Sequence, residues 1–160
     1  MKDEIRIGVY ICHCGINIAS VVDVDKLTEY SKTLPNVTIA RNYKYTCSFP
    51  GQDMIKDDIK KLKLNRIVVS ACSPALHERT YRRVCSESGI NPYLFEMANI
   101  REHCAWVTSD KAAANKKAKD LVKAAISRVA LQEPLEKREI PVNPNVLIVG
   151  GGITGMQAAI

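Results

Sequence analysis

The sequence predicts an α/β domain: a four-stranded parallel sheet with helices on both faces. Three observations carry that prediction. Short β-branched, apolar runs alternate with segments of helical periodicity four times along the chain. The third run, RIVVSA, is apolar enough to be buried on both faces, as in a parallel sheet. Cysteines fall just past three of the runs, where a parallel sheet gathers its strand ends on one edge and where such folds place ligands.

The elements follow in order. Residues 5–11, IRIGVYI, read as the first strand. In 22–34, Val24, Leu27, Tyr30 and Leu34 recur at helical spacing, with Asp23 as N-cap. NVTIARNY (36–43) is the second strand. GQDMIKDDIKKLKL (51–64) sets Ile55, Ile59 and Leu62 on one helical face, and Asn65 is expected to end that helix in a left-handed conformation. RIVVSA (66–71) is the third strand, and Ser73-Pro74 supplies an N-cap and first helical residue for a helix ending near Gly89. PYLFEMAN (92–99) is the fourth strand. Residues 110–132 form a long helix with Ala114, Ala118, Leu121, Val122, Ala125 and Val129 as its inward stripe. Right-handed crossovers between such units cover both faces of the sheet.

A boundary follows this domain of residues 1–134. LEKREIPVNPN (135–145), with two prolines and a charge run, reads as a linker. VLIVGGGITGMQAAI (146–160) reads as the first strand and half-helix of a Rossmann-type dinucleotide domain. Gly150, Gly152 and Gly155 match G-x-G-x-x-G between a buried strand and a helix start. There glycines permit a tight turn and close approach of a pyrophosphate to the helix N-terminus. The acidic residue expected about 20 positions on, which would hold the ribose, lies past Ile160, so this piece alone is not expected to bind a dinucleotide tightly.

Composition narrows the function. The chain has 160 residues, 46% of them hydrophobic, enough for a core without disulfides. Its start, MKDEIRIGVYIC, passes from charged residues into a run too brief for a signal h-region or a membrane span, so a cytoplasmic protein is expected. Six cysteines in that setting point to metal binding or redox chemistry rather than structural disulfides. The net charge of +6 gathers largely on one face of the helix 111–128, without an aromatic-interleaved stripe, so nucleic acid is not expected as a partner.

Cys12, Cys14, Cys47 and Cys72 all lie just past strand ends, and four converging thiolates make a metal site the leading reading, an iron–sulfur cluster first. The spacing is neither the compact ferredoxin run nor the paired C-x-x-C of a zinc ribbon. Cys72 also precedes a helix start, which favours its thiolate. Cys104, in IREHCAW, is the reserve ligand; Cys85, inside the third helix, is expected to pack inertly. His13, His77 and His103 are expected at the surface or in hydrogen bonds beside the site. The sequence contains no G-x-S-x-G, H-E-x-x-H or Walker loop.

The blocks IGVYICHCGINIASVVDVDKL, YTCSFPGQ, LNRIVVSACSPALHE, GINPYLFEMANIREH and VLIVGGGITGMQAAI resemble the amino-terminal portion of the iron–sulfur A-type subunit of CoB–CoM heterodisulfide reductase, from methanogens and related anaerobes. The resemblance implies an oxidoreductase component with iron–sulfur clusters and FAD. Such a protein takes electrons from a hydrogenase or formate dehydrogenase partner and bifurcates them between ferredoxin and heterodisulfide reductase subunits B and C, where CoM-S-S-CoB is reduced. It implies a [4Fe–4S] cluster on Cys12, Cys14, Cys47 and Cys72, and places Gly150, Gly152 and Gly155 at the start of the FAD turn. A homodimer of the intact protein is compatible with it. The portion present is expected to transfer electrons and dock partners without being catalytically competent alone. The alternative is a non-redox interaction module whose cysteines are free or bind zinc.

Overall fold

The computed structural model describes residues 4–136 and 138–160. The first of the strands, β1 (Ile7–Cys12), is buried along its whole length and sits inside the sheet. It pairs in parallel with β2 (Val37–Tyr43) on one side and β3 (Arg66–Ala71) on the other, and β3 pairs in parallel with β4 (Phe95–Asn99). The order is therefore β2-β1-β3-β4. The direction in which successive strands are added reverses between β1 and β3, which makes that crevice the topological switch point of an open parallel sheet.

The period-2 alternation of the strands divides the core in two. Ile7, Val9 and Ile11 face one layer, with Val68 and Ala98, under α1 (Val24–Lys32) and α4 (Lys111–Leu131). Tyr10, Ile67, Val69, Phe95 and Met97 face the other, under α2 (Phe49–Leu62) and α3 (Pro74–Glu87). Within that second layer, the edge strand is tied to α2 by a charge pair. Arg41 on β2 grips Asp58 with two nitrogens, at 2.9 and 3.0 Å, and the buried Tyr10 hydroxyl donates to the same carboxylate at 3.3 Å.

Helix ends follow local chemistry. The Asp23 side chain accepts from the Lys26 N–H at 3.0 Å, and Ser73 caps α3 ahead of Pro74, both as expected. Two expectations are corrected. The α2 helix begins at Phe49, capped by Ser48, because Pro50 fits a first turn. It ends on Lys63 at φ 50°, not on Asn65, whose side chain instead accepts from the Arg6 N–H and donates to the Glu4 carbonyl. The inward stripe of α4 is Ala114, Ala118, Val122, Ala125, Ile126 and Val129, with Leu121 at its margin. Among the described residues no helix is long and apolar enough to cross a membrane.

The strand expected at 146–150 does not form. Residues 132–136 and 138–152 contain neither helix nor strand, and Val146, Leu147 and Val149 are more than four-fifths exposed. A strand exists only against a neighbour, and none of the described strands pairs with this segment. The helix start does form, as α5 (Ile153–Ala159), with no buried residue.

Burial of acidic groups predicts alkaline sensitivity. Burial pushes Cys85, wholly enclosed under α3, up to about 12, and it raises the Tyr10 and Tyr81 hydroxyls as well. A folded pKa above the unfolded one contributes stability that is complete below the unfolded value and is lost as pH rises through the folded one. The metal-free protein should hold its urea midpoint up to about pH 8.5 and then lose it steadily toward about pH 12. Comparing midpoints at pH 7.5 and 10.5 checks this, with a smaller loss expected for Cys85→Ala; equal midpoints for the parent protein would refute it.

Candidate metal centre

Cysteine side chains reach the switch point from three loops. Cys12 ends β1 and Cys72 follows β3, so these two flank the crevice directly. Both are buried, while Cys14 and Cys47 are half-buried and pack against the same layer. All six cysteines are free thiols.

The Cys12–Gly15 turn is held, not flexible. The His13 N–H donates to the Tyr43 carbonyl at 3.0 Å and the Gly15 N–H to the Lys44 carbonyl at 3.3 Å, stitching the turn to the end of β2. Cys14 and Gly15 both adopt left-handed backbone, at φ 50° and 65°. For Cys14 that conformation costs roughly 1–2 kcal/mol, tolerated where surrounding bonds over-determine it. It turns the Cys14 N–H onto Cys12 Sγ at 3.3 Å. Cys12 Sγ in turn lies 3.8 Å from the Lys44 carbonyl. His13 serves in a hydrogen bond, with Nε2 2.8 Å from Asn42 Oδ1.

Cys47 rides on the turn between β2 and α2. Gln52 donates to its carbonyl at 2.7 Å, and the neighbouring Thr46 hydroxyl, fully buried, meets the Tyr81 hydroxyl at 2.7 Å. That turn lies against Gly51 in the first turn of α2. A Cβ there would stand 2.5 Å from the Tyr45 carbonyl oxygen and 2.7 Å from Thr46 Cα, so only glycine admits the approach.

The four thiols share one electrostatic environment. Burial raises Cys47, and Cys12 and Cys14 add to the rise. Burial pushes Cys72 up to about 11; Arg101 works against it, while Cys14, Glu102 and Cys12 reinforce it. Loss of water is the largest of these influences, and it opposes the thiolate that the start of α3 is expected to favour. A bound cation would reverse that balance, because a coordinating thiol is deprotonated by its metal.

Among the described residues, no three His, Cys, Asp or Glu side chains surround one point as single-ion ligands would. Four ligands of a cubane bind four different irons and stand farther apart than ligands of one ion. The donor set, four sulfurs in a half-buried crevice with N–H groups directed at two of them, fits a cluster in its chemistry. Cys104 does not join it. It lies in the opposite core layer and donates to the Ala114 carbonyl at 3.2 Å, and Cys85 packs within α3.

One residue at the crevice was not among those the sequence singled out. After β4 the chain makes a π-helical turn, Arg101–Ala105, whose first N–H groups donate to Asn99 Oδ1 at 3.0 and 3.4 Å. Such turns recur at functional sites. This one brings Arg101 Nη1 to 3.0 Å from Cys14 Sγ. Burial opposes the Arg101 charge, but Glu102 and Cys14 hold it more firmly protonated than usual. The position was legible in part, as a cation directly past a strand end; the contact was not. Exposed apolar side chains stand past all four strand ends: Ile16 after β1, Tyr45 and Phe49 after β2, Leu76 after β3, and Trp106 and Val107 after β4.

At the other end of the chain, Gly150 has φ 111° and Gly152 caps α5. A Cβ on Gly155 would collide with the Gly150 carbonyl, so the third glycine lets the helix close on the turn.

No protein-family profile matches the chain. Individual relatives do. The chain is 58% identical over 160 residues to the second iron–sulfur A-type subunit of CoB–CoM heterodisulfide reductase in Methanopyrus kandleri, covering 99% of this chain and 24% of the relative. It is 54% identical over 159 residues to the A-type subunit of the H2:CoB-CoM heterodisulfide,ferredoxin reductase of Methanothermobacter marburgensis, with the same coverage. Over nearly its whole length the chain matches one portion of heterodisulfide reductase A-type subunits. The Methanosarcina acetivorans relative is 48% identical over 156 residues, covering 97% of this chain and 20% of its own length. Its name makes it the A-type subunit of a ferredoxin/F420H2-dependent CoB-CoM heterodisulfide reductase. All three names denote oxidoreductase subunits. The chain spans about a quarter of the length of the relatives it matches.

The close approach at Gly51 yields a prediction. Gly51→Ala should destabilise the protein by about 1–3 kcal/mol, although alanine is the better helix former, because the Tyr45–Cys47 turn must shift. Urea denaturation measures it; an unchanged or raised stability would show that the turn yields freely.

Proposed function

We propose that this chain is the electron-transfer and docking part of a heterodisulfide reductase A-type subunit, with a [4Fe–4S] cluster on Cys12, Cys14, Cys47 and Cys72. The observation that carries the reading is the gathering of these four thiols at the β1/β3 switch point, with two N–H donors directed at their sulfurs. The names of iron–sulfur relatives add to it. The cluster would supply one-electron transfer. The protein's own part is to hold the sulfurs on three braced loops, exclude water from Cys12 and Cys72, and leave Cys14 and Cys47 close to the surface.

On this reading residues 1–134 are the iron–sulfur domain, 135–145 a linker, and 146–160 the opening of an FAD domain through Gly150, Gly152 and Gly155. The fingerprint closure at Gly155 supports the last assignment. In the intact cytoplasmic protein, electrons would come from a hydrogenase or formate dehydrogenase partner. FAD would divide them between ferredoxin and subunits B and C for CoM-S-S-CoB reduction. The exposed apolar side chains past the strand ends give a docking face at the same edge. They also favour a second reading, a docking module whose cysteines are free or hold zinc.

Metal content separates the two readings. After strictly anaerobic purification we expect about four irons and four sulfides per chain, and an EPR signal on reduction. Cys47→Ser and Cys72→Ser should each lose most of the iron. Full iron in both variants would overturn the ligand set, and zinc without visible absorbance would favour the docking module.

A further inference from the structure

Arg101 is the one cation in direct contact with a thiol of the crevice among the described residues. Its side chain is only 15% exposed, and each part of the guanidinium has its own partner. Nε and Nη2 donate to Glu102 Oε1 at 3.2 and 2.8 Å, leaving Nη1 for Cys14 Sγ at 3.0 Å. The flat face stacks on the Trp106 ring, 4.5 Å from its centroid, and the Trp106 indole N–H reaches Asn17 Oδ1 at 3.4 Å. The stack therefore spans the loops after β1 and β4, and it fixes a planar charge against one sulfur from a position Lys could not reproduce.

We infer that Arg101, clamped between Trp106 and Cys14, tunes the cluster by favouring its one-electron-reduced form. This rests on the [4Fe–4S] reading of the four cysteines. Reduction adds one negative charge to the site without breaking a bond or moving a proton. A cationic N–H donor on a ligand sulfur stabilises the state that carries that added charge, and hydrogen bonds to sulfur and net charge are recognised determinants of cluster potential. Arg101 is a positioning residue here: it acts on the redox group through Cys14.

The test is an EPR-monitored dithionite titration of the full chain, parent against Arg101→Gln, Arg101→Lys and Trp106→Leu, with iron counted in each. Arg101→Gln should keep its iron and show a tenfold fall in the reduced-to-oxidised ratio at a fixed potential, equivalent to about 59 mV for one electron. Arg101→Lys and Trp106→Leu should shift in the same direction by less. Full iron with the parent midpoint in Arg101→Gln overturns the inference and leaves the cluster reading intact. A parent chain that holds no iron, even after reconstitution, overturns both. Should Arg101→Gln alone lose iron, the other two midpoints decide, an unshifted pair overturning the inference. Iron loss in all three overturns it as well, since Arg101 would then brace the turn and not tune the cluster.

Discussion

Every strand of this sheet points the same way, and that single constraint fixes where chemistry can occur. Each connection must leave from the same edge, and the two strands on either side of the switch point send their loops apart over opposite faces. A crevice opens between those loops. Cys12 and Cys72 need no special device to flank it, because the ends of adjacent strands put them there. Cys14 and Cys47 lie beyond strand ends and do need devices: a left-handed pair of residues for one, a glycine contact and a buried Thr46–Tyr81 hydrogen bond for the other.

The crevice sets two demands against each other. Packing the thiols among apolar side chains disfavours their charged form, and burial raises both Cys47 and Cys72. Metal ligation requires that charged form. Arg101 and the Cys14 N–H lie on the side of ligation, while the enclosing core lies on the side of protonation. The same core is what screens the buried pair of sulfurs from water.

Much of this was legible in the sequence, for physical reasons that differ by element. RIVVSA matches β3 residue for residue because its apolar middle is buried on both faces and Asn65 and Ser73 bound it closely. Asp23 and Ser73 act at helix starts because capping depends on neighbours in sequence. Asn65 misled because its side chain found distant backbone partners better than a left-handed turn. The run 146–150 stays without a strand because apolar periodicity describes a segment's need for a partner, not the partner's presence. Arg101 could not be paired with Cys14 in advance, since 87 residues separate them and the π-helical turn that joins them has no local signature.

That turn has a bearing on how the chain tolerates change. A π-helical turn holds one residue more than the α-helical turn it replaces. Deleting His103 would let the segment relax to ordinary helical phase while leaving β4 and α4 intact. Each helical position swings a side chain by about 100°, so Trp106 would leave the guanidinium it stacks on without any substitution at Arg101 or Trp106. Loop length, and not residue identity alone, is therefore part of what this site encodes, and a one-residue gap here would set apart chains otherwise alike at every cysteine.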